Sequence, residues 1–65
     1  MKGIIQKNSK GCFQYKLEGT KRFISTDKSF LDDAIFYIMK KLSVRLKELA
    51  RFENTIIIEI TEIEL

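Results

Sequence analysis

Hydrophobic and polar positions alternate in the first part of the chain. The clearest stretch is Cys12–Glu18, where Phe13, Tyr15 and Leu17 fall on one side and Gln14, Lys16 and Glu18 on the other. That period of two is what a half-buried strand shows. A short apolar run, Gly3–Lys7, precedes it around Ile4 and Ile5, and Lys21–Thr26 follows it around Phe23 and Ile24. Asn8-Ser9-Lys10-Gly11 and Gly19-Thr20 separate the three runs with residue types that tight turns need. The pattern predicts three antiparallel strands joined by short hairpins.

The period changes after Thr26-Asp27-Lys28-Ser29. Ser29 is a suitable N-cap, and Asp32 three residues on completes a capping-box-like spacing. From Phe30 to about Arg51 there is neither Gly nor Pro, and Leu31, Ala34, Ile35, Ile38, Leu42, Leu46 and Leu49 fall on one helical stripe. Asp32 and Asp33 would lie in the first turn and Lys47 and Arg51 near the last, as the helix dipole favours. A helix of that length is about 30 Å long. Glu53-Asn54 breaks the pattern, and Thr55–Leu65 reads as a fourth strand with Ile56, Ile58 and Ile60 on one face. Ile63 and Leu65 have the opposite parity, which requires a bulge or a departure from the sheet.

These elements predict a single small domain spanning 1–65. It is a two-layer α+β fold of order β-β-β-α-β, a mostly antiparallel four-stranded sheet with one long helix on one face. The last strand is expected at or near an edge. It lacks Lys and Pro, the residues that usually blunt an edge. Ile57, Glu59, Thr61 and Ile63 are therefore expected to pair with a second copy or a target, making a homodimer the expected state.

Composition narrows the chemistry. The chain has 65 residues with one Cys and no His, so no internal disulfide and no Cys/His metal site is expected. No cofactor motif occurs. Domains this small are marginal alone and commonly lean on a partner. There is no apolar run of about 18 residues, so no membrane span is expected, and the single thiol suggests a cytoplasmic setting. Richness in Lys, Ile, Glu, Phe and Asn suggests an AT-rich source, such as a low-GC bacterium or its phage.

The absence of His removes the Ser-His-Asp and Cys-His arrangements, and there is no P-loop or dinucleotide-binding glycine motif. Asp32 and Asp33 are adjacent and diverge by about 100° on a helix. Glu59, Glu62 and Glu64 read as solvated charges rather than a cation site, and Cys12 as a small half-buried hydrophobe. An enzyme is not expected.

Charge is unevenly spread. Residues 1–52 carry all 12 Lys and Arg and five acids, a net +7, whereas residues 53–65 carry four Glu and no base. The back of the predicted helix holds Phe36, Tyr37, Lys40, Lys41, Val44 and Lys47. Aromatic residues interleaved with bases suit a protein interface, and this group is the candidate partner-binding surface. The same chemistry suits nucleic acid, for which Lys10, Lys21, Arg22 and Arg51 are further candidate contacts. The hairpin-tip bases fall at opposite ends of a meander, and a total of +3 is modest for a dedicated nucleic-acid binder.

The stretch Ser25-Thr26-Asp27-Lys28-Ser29-Phe30-Leu31-Asp32-Asp33-Ala34 resembles the helix-opening motif of HicB-like antitoxin domains. Ser29 takes the place of the capping Thr, and Asp32-Asp33-Ala34 that of the acidic pair plus Ala; the spacing is one residue longer and the motif's glycine is missing. The β-β-β-α-β order is similar to that family as well. The resemblance implies neutralisation of a toxin by protein contact, together with dimerisation. Small phage inhibitors of host enzymes have comparably spare folds. The function expected is therefore a small non-enzymatic binding protein that inhibits or regulates another macromolecule by protein contact. The alternative is a small nucleic-acid-binding regulatory module.

Overall fold

The computed structural model describes residues 1–63. Its elements are β1 (Lys2–Lys7), β2 (Phe13–Leu17), β3 (Ile24–Ser25), α1 (Leu31–Leu42), β4 (Val44–Phe52) and β5 (Thr55–Glu62). The α+β class agrees with the pattern of the sequence. The sheet, however, has five strands rather than four, in the order β3-β2-β1-β5-β4, and every neighbouring pair is antiparallel.

The N-terminal meander forms where the turn residues lie. The Asn8 side-chain oxygen accepts the backbone N–H groups of Lys10 (2.9 Å) and Cys12 (3.0 Å). Gly11 supplies the positive φ, 83°, that this turn requires. At the next turn Thr20 donates both its N–H (3.0 Å) and its hydroxyl (2.7 Å) to the Leu17 carbonyl. The chain leaving β3 is fastened to the start of β2. Buried Thr26 donates its N–H (3.0 Å) and hydroxyl (2.8 Å) to the Phe13 carbonyl, and the Phe13 N–H donates to the Lys28 carbonyl (2.8 Å).

This anchored loop sets where the helix begins. Phe30, in extended geometry, is the N-cap, and no side-chain cap bond forms. The expected Ser29 cap is absent because Ser29 lies one position outside, too early to reach the first free N–H groups. The C-terminal end differs more. The helix stops at Leu42, not near Arg51. Ser43 adopts the left-handed conformation (φ 54°, ψ 51°) and its N–H donates to the Met39 carbonyl. Twelve residues make a helix about 18 Å long, against the about 30 Å expected.

After Ser43 the chain alternates again. Val44 and Leu46 turn toward the helix while Arg45 and Lys47 turn away, and this segment is β4. Leu46 packs on the core from β4, and Leu49, expected on the helical stripe, is exposed near the bulge between Glu48 and Ala50. Glu53-Asn54 forms a two-residue hairpin loop, with Phe52 opposite Thr55 and Glu53 at φ 51°. Positive φ is a requirement of the turns that suit such hairpins.

β5 is therefore an inner strand. Ile56, Ile57, Ile58 and Glu59 each have partners on both sides, in β1 and in β4. The edge expected there is occupied by the chain itself, so the backbone pairing assigned to Ile57, Glu59 and Thr61 is made internally. Ile63 lies just past the strand and is exposed. The real outer strands are β3, only two residues long, and β4, which carries Arg45, Lys47 and a bulge, features that discourage edge pairing. Glu64 and Leu65 lie outside the described residues.

The core sits between α1 and one face of the sheet. Ile5, Tyr15, Ile38, Val44, Ile56, Ile58 and Ile60 form it, with Leu31, Ile35 and Leu42 packed against it from the helix and Phe13 and Leu17 from β2. Burying each large side chain contributes about 1.5–3 kcal/mol. Gly3 allows a close approach at its centre: a Cβ there would lie 3.0 Å from the Lys16 carbonyl oxygen and 3.1 Å from Ile60 Cδ1.

Candidate functional site

The outer face of α1 is built by the same periodicity that builds its inner face. With Ala34 and Ile38 buried against the sheet, Asp33, Phe36, Tyr37, Lys40 and Lys41 recur at helical spacing around the other side. These five and Lys28 line one open concavity of about 580 Å³. Phe36 is 67% exposed, a large aromatic side chain left facing solvent from the helix. Tyr37 is half-buried, packing partly on the core, and the Lys41 Nζ lies 5.6 Å from its ring centroid. A cation over a ring at that distance holds the lysine beside the aromatic pair rather than free in water. Three lysines and one aspartate border the concavity, so its local field is positive.

Four of the six predicted partner-binding residues are thus brought together, and two are not. Val44 is 6% exposed and belongs to the core, because it begins β4 on the helix-facing side instead of continuing the helix. Lys47 lies on the opposite face of the sheet, directly across from Glu59. Two lining residues were not predicted. Asp33 was readable, since it stands four residues before Tyr37 and seven before Lys40. Lys28 arrives from the loop before the helix, held by the Lys28 N–H to Thr26 Oγ1 bond (3.2 Å) and its carbonyl bond to Phe13. No periodicity marks a residue delivered that way.

The candidate nucleic-acid contacts are dispersed. Lys10 occupies the β1–β2 turn, Lys21 and Arg22 the β2–β3 connection at the other end of β2, and Arg51 the outer strand β4. Arg51 is bonded to Glu48 (2.7 Å). That hydrogen bond, then the Glu48 charge, raises the Arg51 pKa above its ordinary value, with a smaller contribution from Asp32. Among the described residues there is no cluster of three His, Cys, Asp or Glu side chains placed to hold a metal. Cys12 is a free, half-buried thiol. No helix among the described residues is long and apolar enough to cross a membrane. Comparison with known protein families, with curated proteins and with solved structures finds no match.

Proposed function

We propose that this chain is a small non-enzymatic binding protein that inhibits or regulates another macromolecule through the outer face of α1. The observation that supports this most is the exposed Phe36 beside Tyr37 within a concavity bordered by Lys28, Lys40 and Lys41. Aromatic side chains of this kind anchor interfaces, and a rim of like charge selects partners of opposite charge and speeds their encounter. The partner that fits is a protein surface with an apolar knob set among acidic side chains. An antitoxin acting on a toxin, as the HicB-like resemblance implies, and a phage-type inhibitor acting on a host enzyme are both instances of this role. The nucleic-acid alternative has less support, because its candidate contacts are spread over both ends of the meander and the outer strand.

Affinity capture with the wild-type chain and with Phe36→Ala and Lys40→Glu variants tests the reading, with circular dichroism confirming unchanged folding. A stoichiometric protein should be retained by the wild type. Its affinity should fall by about 2 kcal/mol or more for Phe36→Ala, as for an interface anchor. Retention of the same proteins by all three, or retention abolished by nuclease, contradicts it.

A further inference from the structure

The face of the sheet away from α1 carries an ordered ladder that neither the core nor the helix-face site uses. One row across the strands reads Lys47, Glu59, Lys2, Glu18. Lys47 is opposite Glu59, Glu59 is opposite Lys2, and the Glu18 N–H donates to the Lys2 carbonyl (2.9 Å). The next row reads Ala50, Ile57, Ile4, Lys16, and the one after it Phe52, Thr55, Gln6, Gln14. Ile4 and Ile57 are only half-buried, at the centre of a mostly polar surface that also carries Ala50 and the exposed Phe52.

The charged row alternates plus, minus, plus, minus. Reversing such a row converts each sign into its opposite, so the row is complementary to itself. A two-fold axis parallel to the strands, passing between β1 and β5, performs that reversal and keeps every row level. We infer that this face is a dimer interface between two copies of the chain, packed sheet to sheet. Glu59 then meets the second copy's Lys2, Lys47 meets its Glu18, and Ile57 meets its Ile4. Lys16 falls opposite Ala50, the smallest residue in the ladder. A recess of about 350 Å³ lies mainly over β1 and β2, lined by Lys2, Ile4, Lys16, Glu18 and Thr20 and reaching Ile57 across the axis. The side chains facing it come from the second copy's β5 and β4.

A polyanion is a poorer occupant, because Glu18 and Glu59 interrupt the lysines. Edge pairing is a poorer mode of association, because β5 is enclosed and β4 is bulged and charged. Packed sheets lie about 10 Å apart with strands within about 30° of each other, so the central rows stay opposed while the corners diverge. With the axis between β1 and β5, four strands of each copy overlap, β2, β1, β5 and β4; at about 4.8 Å spacing and about 20 Å of shared length they give a face of about 380 Å² per copy. Two such faces, about 760 Å² together, fall below the roughly 1,000 Å² of a stable specific interface, so the dimer is a weak one that forms and dissociates with concentration. Its two α1 faces would point outward, so the interface and the helix-face site are independent of one another.

Sedimentation velocity over a range of concentrations tests this, using the wild type, Glu59→Lys, Lys2→Glu, and an equimolar mixture of the two variants. The wild type should dimerise, and each variant alone should do so about tenfold more weakly or not at all. The mixture should regain the dimer, because each variant then meets the opposite charge across the axis. The change within each chain is the same whether mixed or alone, so recovery isolates the contact between copies. Isotope-filtered NMR of the wild type provides a check without substitution: Ile4 and Ile57 methyls should show contacts between chains. A wild type that is monomeric throughout, a dimer indifferent to both substitutions, or a mixture that stays dissociated would overturn the inference.

Discussion

Ser43 donates its backbone N–H to the carbonyl oxygen of Met39 while holding a left-handed backbone at φ 54°. This one residue turns the chain from helix into strand. A side chain in that conformation costs about 1–2 kcal/mol, and glycine avoids the cost. Ser43→Gly should therefore raise the unfolding free energy by about 1 kcal/mol, read as a higher urea midpoint with unchanged slope. Ser43→Val should lower it by at least as much.

The helix boundary shows what the sequence made legible and what it hid. Leu42, Leu46 and Leu49 satisfy a helical stripe, and no Gly or Pro interrupts them. Val44-Arg45-Leu46-Lys47 satisfies a strand equally well, and the left-handed Ser43 that decides between the two has no sequence mark as strong as glycine would be. The meander was readable because Asn8, Gly11 and Gly19 are specific for turns. The inner position of β5 was not, since period two reports which face a side chain takes and says nothing about how many neighbours a strand has. The helix-face site survived the shortened helix because Phe36, Tyr37, Lys40 and Lys41 all precede Ser43. Val44 and Lys47 did not, for the same reason.

Gly3 occupies a position where any side chain meets the Lys16 carbonyl and Ile60. Gly3→Val overpacks the core at the centre of the sheet and should destabilise the fold by about 1–3 kcal/mol. Thermal unfolding followed by circular dichroism reads the loss, and a midpoint equal to the wild type would show that the strands have room to separate.

Thr26 secures the loop that delivers Lys28 to the helix-face concavity. Its hydroxyl donates to the Phe13 carbonyl and accepts the Lys28 N–H. Thr26→Val keeps the shape and removes both bonds. The Phe13 carbonyl keeps its bond from the Thr26 N–H, so the cost expected is that of the two lost bonds, about 1–2 kcal/mol at about 1 kcal/mol each, and Thr26→Ser should recover most of it. Equal urea midpoints for Val and Ser would place the anchoring elsewhere.

Asn8 holds the first turn through two bonds to its side-chain oxygen. Asn8→Ala should cost about 1–2 kcal/mol, from bonds worth about 1 kcal/mol each, while Asn8→Asp, which keeps the acceptor, should be close to neutral. Chemical denaturation of the three proteins side by side measures the difference.

The central claim is that β5 lies inside the sheet, so that the chain offers partners its faces and not a strand edge. Successive amides of a strand point to opposite sides. An inner strand protects all of them, and an edge strand only every second one. Amide hydrogen exchange at Ile56, Ile57, Ile58, Glu59 and Ile60, measured in dilute solution, should show continuous slow exchange along the run. A pattern in which alternate amides exchange as fast as those of the Glu53-Asn54 loop would contradict the claim.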